Sequence, residues 1–377
     1  MSHLLSIIIT VLGFIAVIGP LVFVHEMGHY LAGRLFGVQA DMFSIGMGRE
    51  LLGWTDKRGT RWKVSALPIG GYVKFRGDMG PASEPDPALL ALPPEEKAKT
   101  LHFKPVWQRF LIVAAGPITN FVTAILIFVV YFGVMGVPQT PTVISFVVPD
   151  TAAAAAGLQP GDRVIKVAGR SVTRFEDMAQ MIALRPRMQI DLLVERQGKQ
   201  LTIPVTPKAQ TAEDPAGNRI EIGLLGVVAG QAVQTRPGPV AVVAEAFRET
   251  GHTVQTITDV IGQIAGGERS AKELGGPLKI AQFSGTAVTV GWLPFFRFMA
   301  LISINLGFIN LLPIPLLDGG HLFFYLIEGV RRRPLPAQAQ EWAFRSGLAL
   351  LLGFMLFVTI NDLGSFGLWT KLHGLIG

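Results

Sequence analysis

Four stretches of this chain are too long and too apolar to be left in water. They run over Leu4–Val24, about 110–137, about 293–317 and about 344–360. Each approaches the ~20 residues that a helix needs to cross the hydrocarbon core of a bilayer. Composition agrees. Half of the 377 residues are hydrophobic, only 16% are charged, and mean hydropathy is +0.44. That excludes an ordinary soluble domain and fits an integral membrane protein with one soluble portion. There is no cysteine, so disulfides are excluded and any metal must be held by His, Asp or Glu. The net charge of +6 does not call for nucleic acid, because basic residues beside apolar spans set topology. Membrane lipid is the expected surrounding.

The first stretch reads as a retained span. It lacks the basic n-region and the small-x-small cleavage site of a signal peptide. Nothing basic but His3 precedes it, whereas Arg34, Arg49, Lys57, Arg58, Arg61, Lys63, Lys74 and Arg76 follow it. Arg331, Arg332 and Arg333 lie between the third and fourth stretches. The positive-inside rule puts both loops in the cytoplasm. Both termini and the long segment over 138–291 are then expected outside, in the periplasm of a Gram-negative cell.

The expected organisation follows. Residues 1–37 form the first transmembrane helix and 38–109 a cytoplasmic-side loop. In that loop "RWKVSALPIGGYVKF", Arg61–Phe75, reads as a β-hairpin. The Pro-, Ala- and Glu-rich tract 81–94 reads as loop. A second span covers 110–137. Residues 142–230 alternate short strands with two short helices, the order of a small α/β module, with strands in "QIDLLVERQGKQLTIPVTP" meeting at Gln197-Gly198. Residues 238–290 hold an amphipathic helix, on the membrane or on the module, and a linker. The third span covers 291–330 and the fourth 340–362.

Chemistry gathers where the first span ends, in "FVHEMGHYLAGRLFG". On a helix, His25 and His29 share a face, so both imidazoles reach one ion. Glu26 stands beside the ion without binding it. Two histidine ligands and a glutamate that takes a proton from water is the arrangement of H-E-x-x-H metalloproteases. Such a pattern occurs by chance in many proteins. Ionisable side chains at membrane depth cost at least ~2.5–3.5 kcal/mol each, however, and are usually functional. Zinc needs a third protein ligand. The better candidate lies in "NLLPIPLLDGGH", where Asp318 is the only acidic residue between Glu273 and Glu328. Its plainer role is a helix cap for the segment from Gly319. His321 is the second candidate. Asn310 either bonds between helices or holds substrate or an oxyanion. Asn120, in "AAGPITNF", has the same two readings, and the structural one is preferred.

These residues resemble the site-2 protease family of intramembrane zinc metalloproteases, in its bacterial sigma-E-regulating branch. "HEMGH" ends the first span, "GPITNF" opens the second, and "NLLPIPLLDGGH" ends the third. A PDZ-like module with the turn "AGLQPGD", Ala156–Asp162, sits between the second and third spans. The resemblance covers essentially the whole chain. It implies that His25, His29 and Asp318 bind one zinc ion, that Glu26 is the catalytic base and that Asn310 contacts substrate. It also implies that the hairpin is a membrane-associated β element. The branch typically carries two PDZ modules in tandem, and Thr142–Val228 has room for one.

The expectation is therefore a polytopic α-helical membrane protein with about four transmembrane helices, a membrane-associated β-hairpin and one periplasmic PDZ-like α/β domain. Its function would be cleavage of single-span membrane proteins in regulated intramembrane proteolysis, with anti-sigma factors already trimmed outside and remnant signal peptides as candidate substrates. A PDZ-bearing scaffold with a vestigial metal site would have lost one of the four site residues. A metal transporter would need neither Glu26 nor the module, and four spans are few for alternating access.

Overall fold

The computed structural model describes residues 3–78, 91–213, 219–230, 233–236, 238–271, 275–333 and 335–365. In chain order the elements are α1 (His3–Leu35), β1 (Ala40–Thr55), β2 (Arg61–Phe75), α2 (Pro94–Lys97) and α3 (Val106–Met135). Then come β3 (Val137–Gln139), β4 (Ile144–Val147), α4 (Ala152–Ala155), β5 (Arg163–Val167), β6 (Arg170–Ser171), α5 (Phe175–Ala183), β7 (Ile190–Arg196), β8 (Lys199–Val205), β9 (Lys208–Glu213), β10 (Arg219–Leu224), β11 (Val227–Ala229) and β12 (Val233–Thr235). The chain ends with α6 (Pro239–Ala265), α7 (Pro277–Val290), α8 (Trp292–Leu311), α9 (Asp318–Arg331) and α10 (Ala337–Ser365). It forms two compact units, one of Met1–Phe128, Glu249–Val254 and Leu274–Gly377, the other of Val129–Arg248 and Gln255–Glu273.

Four helices are long and apolar enough to cross a membrane, over Leu4–Leu35, Val106–Met135, Trp292–Leu311 and Gln338–Gly364. No more than 28% of any of the four is buried inside the protein. That much outward apolar surface needs lipid rather than water as its solvent. The chain is a multi-pass membrane protein. The third span is shorter than the sequence pattern suggested and stops at Leu311, because Pro313 and Pro315 lack the amide proton that would continue the helix. The stretch before it, expected as linker, holds the second helix α7. Asp362 of α10 is buried and accepts the backbone N–H groups of Gly276 and Lys279 at 3.1–3.2 Å, so α10 caps the start of α7.

The hairpin differs from expectation in its pairing. Arg61–Phe75 does not fold on itself. Its first half pairs with β1 as Phe43↔Trp62 and Ile45↔Val64, and its second half pairs with the same residues of β1 from the other side, as Phe43↔Val73 and Ile45↔Gly71. The first half of β1 thus lies between the two halves of β2. The sheet is fastened to α1 by rings: Phe43 stacks on Trp62 at 4.5 Å, and Tyr30 meets Trp62 and Phe43 edge-on at 5.2 and 5.8 Å. Phe43 is wholly buried, a contribution of about 1.5–3 kcal/mol. Of the tract expected as loop, 81–90 lies outside the described residues and Pro94 opens α2.

The second unit has a four-stranded antiparallel sheet in the order β6-β5-β7-β8 and three two-stranded pairs, β11–β4, β10–β9 and β12–β3. Its core joins Ile144, Leu158, Val164, Met178, Leu192 and Val205. Alternation in "IDLLVER" buries Ile190, Leu192 and Val194 on one face. The Gly161-Asp162 turn is clamped. Asp162 is buried, receives two bonds of 2.7 Å from the Arg196 guanidinium and accepts the Gln159 amide at 2.9 Å. Burial alone raises the Asp162 carboxyl, but the bonds from Arg196 and Gln159 outweigh it and hold the group below the usual carboxylate range. Two acidic residues of α6 pair within this unit, Glu245 with Arg174 at 2.6 Å and Asp259 with Arg185 at 3.1 Å. At these residues α6 lies on the module.

Candidate active site

The site is built from the last third of α1. Four residues apart on a helix, His25 and His29 stand one above the other. Their Nε2 atoms are 3.3 Å apart and the rings meet edge-on with centroids at 4.9 Å. Asp318 Oδ2 lies 3.1 Å from the first Nε2 and 3.4 Å from the second. Three electron-pair donors therefore face one another at 3.1–3.4 Å. Ligand bonds of ~2.0–2.2 Å in a tetrahedron put the ligand atoms roughly 3.3–3.5 Å apart, so the spacing of these three atoms fits residues that would hold a zinc ion. Asp318 Oδ2 is buried and accepts no well-formed hydrogen bond, which is the state of an anion waiting for a cation. Among the described residues this is the one group of three or more His, Cys, Asp or Glu with metal-binding geometry. His321, the second candidate ligand, lines the cavity but is not in the triad.

α3 holds the histidines from behind. Ile112, Gly116 and Asn120 recur every four residues and share one face. The Ile112 carbonyl accepts His29 Nδ1–H at 3.0 Å. A Cβ on Gly116 would fall on the His29 ring. The Asn120 amide sits 3.0 Å from His25 Nδ1. Gly28 of α1 has no room for a Cβ against Ala115 and Thr119, so the two helices touch backbone to backbone here. Gly116 and Asn120 of "GPITNF" thus support the two histidines as well as the packing of α3 on α1.

Asp318 is delivered by the break between α8 and α9. It is the first residue of α9, Leu317 is the N-cap, and no side chain caps that end. Asp318 is thus not the N-cap, the plainer of its two sequence readings; its carboxylate turns to the histidines. The break is strained, with Leu316 at φ 81°, a conformation that costs a non-glycine residue about 1–3 kcal/mol. Gly319 and Gly320 let α9 fold back on it, for a Cβ at Gly319 would strike the Leu312 carbonyl and one at Gly320 would lie 2.5 Å from the Ile314 carbonyl.

These elements enclose a cavity of about 380 Å³ whose wall includes Glu26, Gly71, Tyr72, Asn310, His321 and Tyr325. The Glu26 carboxylate faces the backbone amide of Val73. A Cβ at Gly71 would come within 3.1 Å of Glu26 Cγ and 2.9 Å of Val22 Cγ1, so the glycine is what lets β2 run along the glutamate. His25, Glu26, His29, Asp318 and Asn310, found far apart in sequence, all border this one space.

A His-His-Asp triad with both histidines buried, beside a glutamate and on helices made for lipid, is the site of a membrane-embedded metallopeptidase. The profile of Peptidase family M50 matches residues 13–354, and the chain belongs to that family, the site-2 proteases. It is similar to a protein of Agrobacterium fabrum named "Putative zinc metalloprotease", 47% identical over 357 residues that cover 93% of this chain and 95% of the relative. It is also similar to "Metalloprotease MmpA" of Caulobacter vibrioides, 38% identical over 396 residues that cover 99% of this chain and all of the relative. The chain is an enzyme, a zinc metalloendopeptidase of the site-2 protease type.

Proposed function

We propose that this enzyme cleaves single-span membrane proteins within or beside their spans, in regulated intramembrane proteolysis, from the inner membrane of a Gram-negative cell. One observation carries the reading: His25 Nε2, His29 Nε2 and Asp318 Oδ2 converge within 3.4 Å on a membrane-spanning helix, with Glu26 in the same cavity. A peptidase centre in such a helix is useful only if the peptide bond is there too.

His25, His29 and Asp318 hold one zinc ion. When bound it supplies a Lewis acid that polarises the scissile carbonyl and lowers the pKa of water toward ~7. Glu26 takes the proton of the attacking water and hands it to the leaving amine. Asn310 binds the substrate backbone from the cavity wall. The β1–β2 sheet takes up an unwound substrate by strand addition, since a helix must open before its peptide bond can reach the site.

The basic residues after α1 and at the end of α9 mark the cytoplasmic side. Both termini and the second unit then face the periplasm. The strand–helix order of that unit supports a single PDZ-like domain over 142–230, screening substrates already trimmed outside. Membrane-bound anti-sigma factors and remnant signal peptides have the required form.

The test is a tagged single-span reporter, already shortened on its outer side, expressed in membranes with wild type or Glu26→Gln. Cleavage by wild type and none by Glu26→Gln, at equal zinc content, is expected. Equal cleavage by both would mean that another enzyme cuts.

A further inference from the structure

A histidine binds a metal through one ring nitrogen only if that nitrogen carries a lone pair, so the proton must sit on the other nitrogen and be held there. For His29 the holder is plain: Nδ1 donates to the Ile112 carbonyl, which can only accept. That leaves Nε2 bare toward Asp318 and His25. His25 faces the same demand, because its Nε2 also points into the triad. The partner of its Nδ1 is the Asn120 side chain at 3.0 Å, and an amide can either donate or accept.

With the amide nitrogen turned to His25, Nδ1 would be the acceptor and Nε2 would carry the proton, aimed into the triad. Asn120 Oδ1 would also stay buried with no donor. A half-turn of the amide places Oδ1 on His25 Nδ1 instead. It leaves an amide N–H unpaired in place of an amide oxygen, at a similar cost. The histidine therefore decides between the two, since only an accepting Oδ1 lets both rings present lone pairs to one ion.

We infer that Asn120 is a positioning residue for the metal centre: its side-chain carbonyl accepts Nδ1–H of His25 and fixes the tautomer and ring orientation that bind zinc. Asn120 is wholly buried, and its own backbone carbonyl is tied to α8 by the Ser303 hydroxyl at 2.8 Å. Its place on α3 is thus set from two sides. This inference rests on the metal-centre reading.

The test measures zinc affinity of the full-length protein in detergent, by competition with a chelating dye, so that it does not depend on turnover. Asn120→Leu keeps the bulk and removes the acceptor. Asn120→Asp keeps an acceptor and cannot donate. Asn120→Leu is expected to weaken zinc binding by about 10–100-fold, and Asn120→Asp to stay within ~3-fold of wild type. Asn120→Ala replaces the leucine variant if that one does not fold. Wild-type affinity in Asn120→Leu, or equal loss in Asn120→Asp and Asn120→Leu, would overturn the inference alone. A wild type that holds no zinc, or whose zinc is indifferent to His29→Ala, would overturn the metal centre and this inference with it.

Discussion

Gly116 of α3 lies flat against the imidazole of His29, with no space for even one methyl group between them. The ring is held between this glycine and the Ile112 carbonyl. Gly116→Ala must therefore push His29 out of the triad. We expect zinc affinity to fall by at least ~10-fold while α3 itself gains helix propensity. Zinc content after dialysis against a weak chelator, read beside helical circular dichroism, checks this; a fully zinc-loaded alanine variant would show that the ring has room to move.

The strain at Leu316 makes a second test. A residue at φ 81° is tolerable for glycine and poor for a β-branched side chain. Leu316→Gly should leave zinc binding near wild type. Leu316→Ile should lower stability by roughly 1–2 kcal/mol and misplace Asp318 two residues on. Thermal melting in detergent and zinc titration of both variants decide it.

Asp362 holds the amides that open α7. Loss of such a cap costs about 0.5–2 kcal/mol. Asp362→Ala should lower the melting temperature, and Asp362→Asn, which retains an accepting oxygen, should lower it less. Equal melting of all three proteins would mean that α7 is held by its packing alone.

In the second unit the sign of the acid response follows from Asp162. Its folded-state pKa is depressed, so it contributes stability above the ordinary carboxylate pKa of ~3.9 and loses it as pH falls through the lower folded value. Asp162→Asn should flatten the dependence of the melting temperature on pH below about 4. Arg196→Met removes the charge partner of the buried Asp162 carboxylate and should lower the melting temperature at neutral pH.

Much of this molecule was legible in its sequence. The spans announce themselves because lipid forbids the polar interruptions that a soluble helix tolerates. His25, His29 and Asp318 were found because charge at membrane depth needs a reason. The helix "FEDMAQMIA" and the strands meeting at Gln197-Gly198 fall where periodicity put them. What escaped was relational. β1 carries three glycines and a charged pair, Arg49-Glu50, in place of clean alternation, and only its pairing on both sides reveals it as the centre of the sheet. The role of Asn120 escaped for the same reason: its polarity was visible, but the identity of the neighbour that needs it depends on how α3 lies against α1. Local rules leave Asp318 open between cap and ligand, and only its long-range contacts with His25 and His29 choose.

The wide separation of the ligands along the chain has a consequence for biosynthesis. His25 and His29 precede Asp318 by nearly 290 residues and are made well before it. Until the third span and the break behind it have left the ribosome, the site lacks its carboxylate. A metallopeptidase built this way has no complete His-His-Asp triad until its third span has been made.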